Sequence, residues 1–155
     1  MLRPTNNYKT YINSLVITRS DLEIIFELNL VDGIQKILEN YINKDIDNSP
    51  FKAFDQKENK IYGYNENFLW ELISFNNFEE ISQIINRKII NEFKNWQDEH
   101  ETKLYTEEFS TIYLINVKKV MGGNRSGEKT QKIIHKNFYK YLKQNLQNII
   151  EYEFS

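Results

Sequence analysis

The sequence predicts an α+β fold, a mainly helical single domain over residues 1–155 with a small antiparallel sheet. Three observations predict it. Apolar residues recur at spacings of three and four along two long stretches, Phe51 to Tyr64 has the pattern of a hairpin, and Ser110 to Val120 is dense in β-branched and aromatic residues. The 155 residues are 40% hydrophobic and 14% aromatic, enough apolar surface to offset the entropy of ordering one domain and too little chain for two.

Taken in order, Leu22, Ile25, Phe26, Leu30, Ile34, Ile37, Leu38, Tyr41 and Ile42 predict a helical region over 20–43, with Ser20 as its cap and Glu23 three places on. Asp32-Gly33 marks a point where it could divide. The polar stretch Asn43 to Pro50 ends it. Phe51 to Phe54 then pairs with Ile61 to Tyr64 around the polar turn Asp55 to Asn59. A second helical region, capped by Asn65 or Asn67, carries Phe68, Leu69, Leu72, Ile73, Phe75, Phe78, Ile81, Ile84, Ile85, Ile89, Phe93 and Trp96 as far as about Asp98, with Asn76-Asn77 as a possible break. Ser110 to Val120 follows as a strand. The loop Met121-Gly122-Gly123-Asn124-Arg125-Ser126-Gly127 leads into a last helix from Glu128 to Asn148, and Ile149 to Phe154 either extends it or closes the sheet.

The chain has no cysteine, which excludes disulfides, thiolate zinc sites and a cysteine nucleophile and fits a reducing compartment. The N-terminal stretch has no apolar run of signal-peptide length, and no window approaches the roughly 18 apolar residues of a membrane span. The expectation is therefore a cytoplasmic protein with no membrane partner. Richness in Ile, Asn, Lys, Tyr and Phe, with Ala53 the only alanine, reads as AT-rich coding and points to a low-GC bacterium, a phage or a mobile element.

A formal net charge of -2 conceals an uneven distribution. The chain before Glu108 is acidic. From Lys118 to Lys143, by contrast, Lys118, Lys119, Arg125, Lys129, Lys132, Lys136, Lys140 and Lys143 face a single acid, Glu128. At about 100° per residue, Lys129, Lys132, Lys136, Lys140 and Lys143 share an arc of roughly 80°, opposite Ile134, Phe138, Tyr141, Leu142 and Ile149. Ile133, Tyr139 and Leu146 project beside the lysines. Like charges at i and i+4 repel by a few tenths of a kcal/mol, a strain that an anionic partner relieves. The ordinary account of such a stripe is a solvated face. The functional account is a surface that gains affinity for nucleic acid by releasing counterions.

Three partial resemblances bear on chemistry. Gly122 to Thr130, GGNRSGEKT, resembles a phosphate-binding P-loop, but Glu128 precedes Lys129 where an acid opposes phosphate, so the glycines read instead as a turn. Arg125-Ser126-Gly127, following a predicted strand, resembles the Arg/Gln-x-x-Gly-x-Gly/Ala loop of GNAT acetyltransferases with its glycine one place early; that resemblance implies a grip on the CoA pyrophosphate. Tyr113 to Lys119 resembles the metal-binding strand of PD-(D/E)XK nucleases, with Gln131 following and with Asn116 where the family has a carboxylate. An amide is a poor ligand for a hard divalent cation, and Glu107 or Glu108 would have to supply the missing charge.

Elsewhere, His100 within Asp98 to Glu101 suits a metal site or a solvated helix end, and His135 suits a boundary position on the last helix. No serine sits in a nucleophile elbow. Phe68, Trp70, Phe75, Phe78, Phe93 and Trp96 read as core, with Trp70 off the main face.

The sequence thus favours a small nucleic-acid-associated protein without cofactor or metal. Its contacts would come from Lys118, Lys119, Arg125, Lys129, Lys132, Lys136, Lys140 and Lys143, with nucleic acid or an anionic protein surface as partner. The alternative is a non-enzymatic protein-binding inhibitor or immunity-type adaptor, and behind it stand the nuclease-like and acyltransferase-like readings.

Overall fold

Helix formation starts earlier than the periodicity predicts. In the computed structural model, which describes residues 3–123 and 127–145, Asn7 accepts a hydrogen bond from the Thr10 N–H (2.8 Å) and caps a short helix α1, Tyr8–Ser14. Tyr8 and Ile12 bury its inner face. The exposed carbonyl end is closed from a distance: Lys88 Nζ donates to the carbonyls of Ile12, Asn13 and Leu15.

The predicted helix over 20–43 is two helices, α2 (Arg19–Glu27) and α3 (Leu30–Asn43). The cap is Thr18 rather than Ser20, because Thr18 and Asp21 form a reciprocal box: Asp21 N–H donates to Thr18 Oγ1 (3.2 Å) and Thr18 N–H to Asp21 Oδ2 (2.9 Å). The division falls at Leu28-Asn29, where Asn29 accepts from the Asp32 N–H (2.9 Å) and starts α3. Asp32-Gly33 is not the break. Gly33 lies within α3 because α2 crosses there, and a Cβ on it would stand 2.5 Å from Ile25 Cγ1.

The hairpin forms as predicted, with strands β1 (Phe51–Lys52) and β2 (Tyr62–Tyr64) in the register Phe51↔Gly63 and Lys52↔Tyr62. The region from Asn65 to Ser74, predicted as helix, instead supplies β3 (Trp70–Leu72), paired antiparallel to β2 through Tyr62↔Leu72 and Tyr64↔Trp70. Asn65 is a cap of another kind. Its Oδ1 accepts from the N–H groups of Asn67 (2.9 Å) and Leu69 (3.0 Å), holding a turn in which Phe68 takes a left-handed φ of 63°.

Ser74 then caps α4 (Phe75–Glu99), 25 residues without a break at Asn76-Asn77, which lie in its first turn. Phe78, Ile81, Ile85, Ile89, Phe93 and Trp96 bury one side of it.

The largest correction concerns Ser110 to Val120, which is helix and not strand: α5 runs Glu107–Val120. Thr106 accepts from the Phe109 N–H (3.3 Å), Glu107 and Glu108 occupy the first turn, and Lys118 and Lys119 the last. This charge order complements the helix dipole and outweighs the strand preference of the residues between. Phe109, Tyr113, Val117 and Val120 meet the core at helical spacing. A final helix α6, Gly127–Asn145, follows as predicted. The expectations for Asn124 to Ser126, for the end of this helix over 146–148 and for Ile149 to Phe154 lie outside the described residues.

The result is the mainly helical α+β architecture, with six helices and a three-stranded antiparallel sheet in the order β1-β2-β3 among the described residues. α2 and α3 pack on one another, α6 covers α3 and reaches β1, and α4 runs beneath α1, α2 and α5. Sheet and helices meet at Phe51, whose ring lies 6.0 Å from Tyr8 and 5.2 Å from Phe138. Arg19 joins α2 to α4 through ion pairs with Glu92 (2.9 Å) and Glu99. No helix among the described residues is long and apolar enough to cross a membrane.

Candidate nucleic-acid interface

The lysine face of α6 exists because its other side is anchored. Thr130, Ile134, Phe138, Tyr139, Tyr141 and Leu142 are buried, so Lys129, Lys132, Lys136 and Lys140 are turned outward and are exposed. From Lys129 to Lys140 the row extends about 16 Å along the helix axis. Tyr139 and Ile133, which project beside the lysines, do not interrupt it: Tyr139 turns inward and donates its hydroxyl to the Phe54 carbonyl (2.8 Å), and Ile133 is half-buried against the core.

The seven predicted cations that lie among the described residues do not form one surface. Lys132 pairs with Glu128 one turn back (3.3 Å), both well exposed, a contact worth only a few tenths of a kcal/mol. Lys143 is held by Asp55 (3.5 Å) and lies 5.5 Å from the centre of the Tyr139 ring. Lys119 donates to the Phe26 carbonyl and so closes the C-terminal end of α2. Lys118 is exposed on the outward side of α5. Arg125 lies outside the described residues. Lys136 and Lys140 are exposed and make no ion pair with a described residue. His135 adds no charge at neutral pH, since burial against the rings of Phe75 (6.0 Å) and Phe78 (4.8 Å) pushes its pKa down.

With α5 a helix, no strand leads into the glycine loop, whose residues Asn124 to Ser126 lie outside the described residues. The Gly122 N–H donates to Lys119 O (3.2 Å) and the Gly123 N–H to Lys118 O (2.9 Å), both glycines at positive φ, so these amides terminate α5 and do not face a phosphate. Asn116 is buried, and Glu107 stands about 16 Å along the axis from Lys118, so the two cannot meet at one metal. His100 lies parallel to the Phe109 ring (5.2 Å) and tilted against Trp96 (4.9 Å), with Nδ1 hydrogen-bonded to the Trp96 carbonyl (2.7 Å). No cluster of three metal-ligating side chains occurs among the described residues. Of the aromatics read as core, Phe78, Phe93 and Trp96 are buried while Phe68 and Phe75 are exposed.

One charged group escaped the sequence reading altogether. Lys52, on β1, is 1% exposed, lies 5.8 Å from the centre of the Trp70 ring, and has its pKa pushed down to about 8 by burial. Its only sequence signal is a lysine set among Phe51, Ala53 and Phe54 in a strand. No family model matches the chain, and no curated protein or solved structure matches it.

Proposed function

We propose that the protein associates with nucleic acid through the lysine face of α6, holding the phosphate backbone without reading sequence. The observation that supports this is the exposed row Lys129, Lys132, Lys136 and Lys140, fixed by a helix whose opposite side is buried. Lysines act as point charges on phosphate and carry little base specificity, so affinity should vary little with sequence. The role requires no catalytic group.

Fluorescence anisotropy against labelled duplex DNA, single-stranded DNA and RNA tests it. Four phosphate contacts predict a slope of about −3 to −4 in log K against log[salt] on duplex DNA. Reversing Lys132, Lys136 and Lys140 to Glu should abolish binding while leaving the thermal midpoint nearly unchanged, because all three are exposed. A wild type that binds none of these at low salt, or a reversed variant that binds as well, overturns the proposal in favour of the adaptor reading.

A further inference from the structure

α5 presents an outward face that the other described residues leave uncovered. Ile112, Leu114 and Ile115 are 51%, 65% and 50% exposed, an unusual density of large apolar groups on one short helix. At 100° per residue, Glu107, Thr111, Leu114, Ile115 and Lys118 share an arc of about 100°, with Ile112 and Glu108 on its flank. Phe109, Tyr113, Asn116 and Val120 lie on the other side, against the protein.

The charges on this face are ordered along it. Glu107 and Glu108 stand at one end and Lys118 at the other, with the apolar groups between them. None of the three makes an ion pair with a described residue. A surface that is acidic at one end, apolar in the middle and basic at the other is complementary to itself turned end for end. Two such helices packed antiparallel bring each acidic end against the other's Lys118, cover the isoleucines and leucines, and oppose their dipoles favourably. A parallel arrangement would place like charges together.

We infer that the outward face of α5 is a homodimer surface on which two copies pack their α5 helices antiparallel about a twofold axis, Glu107 and Glu108 of each meeting Lys118 of the other. This goes beyond the α6 reading and does not depend on it.

Sedimentation velocity over a wide concentration range, without nucleic acid, tests it. The wild type should shift from 18.7 kDa towards twice that mass as concentration rises. Leu114→Glu should raise the dissociation constant at least about tenfold with the thermal midpoint of the monomer kept, since the side chain is exposed. Lys118→Glu alone, and Glu107→Lys with Glu108→Lys, should each weaken the dimer, and all three reversals together in one chain should restore it, because the reversed charges again meet across the twofold axis. A wild type that remains monomeric at millimolar concentration overturns the inference. So does a dimer indifferent to Leu114→Glu, or one that the triple reversal fails to restore.

Discussion

Lys52→Met is expected to stabilise the fold at pH 7 by about 2 kcal/mol. A lysine whose pKa falls from 10.5 to about 8 on folding carries a penalty of about 3 kcal/mol while it stays charged, and losing the contact with Trp70 returns up to about 1 kcal/mol of that. The pH dependence follows from the same shift. Below pH 8 the amine is protonated in both states and the penalty is complete. Between pH 8 and 10.5 the unfolded chain binds the extra proton, so the stability of the wild type rises with pH. Towards the top of that window the tyrosines act in the other sense. Burial raises the hydroxyl pKa values of Tyr8, Tyr11, Tyr139 and Tyr141, so these groups ionise first in the unfolded chain and erode stability. Urea unfolding at intervals from pH 7 to 9.5 should therefore give a rising curve for the wild type and a nearly level, higher one for Lys52→Met. Parallel curves would show that the amine is solvated in the folded state.

Gly33→Val should destabilise by about 3 kcal/mol, even though glycine within a helix ordinarily invites replacement. A Cβ at this position would lie 2.5 Å from Ile25 Cγ1 and 3.0 Å from Ile25 Cα, and the second contact is to backbone that cannot rotate away. The helices must separate, which loosens the α2–α3 packing. Gly33→Ala gains about 1 kcal/mol of helix propensity but brings the same Cβ contacts without valine's added methyls, and Ile25→Ala should relieve part of the clash. A thermodynamic cycle over Ile25→Ala and Gly33→Ala should give a favourable coupling above about 1 kcal/mol. Additive losses would mean that the two positions do not touch.

Periodicity located those parts of the fold whose signals are local. The hairpin is readable because Phe51 to Phe54 and Ile61 to Tyr64 bracket a polar turn, and α6 because its lysines and apolar residues separate at 100° per residue. The lysine face of the candidate site was legible for the same reason. α5 reads as a strand because Thr111 to Val117 favours strands residue by residue, while the helix signals sit at its ends, in Thr106, Glu107, Glu108, Lys118 and Lys119. β3 was hidden because an asparagine that holds an Asx turn looks the same in sequence as one that caps a helix. Lys119 and Lys143 are not distinguishable in sequence from their neighbours, since what engages them, Phe26 and Asp55, is remote in the chain. The burial of Lys52 is equally a property of the assembled sheet.

That Lys88 closes α1 has a consequence for the order of events during synthesis. The bond to the Ile12 carbonyl spans 76 residues, and the bond from Arg19 to Glu92 spans 73. A chain emerging from the ribosome makes α1 and α2 before α4, yet neither has its tie to α4 until more than half of α4 has emerged. α1, at seven residues, is far below the length at which a helix persists alone in water. α1 must therefore wait, with Ile12 open to solvent or to a chaperone, for a partner made much later. Contacts of this span also place the fold among the slower helical proteins, where the closing of long loops governs the rate more than the winding of any helix.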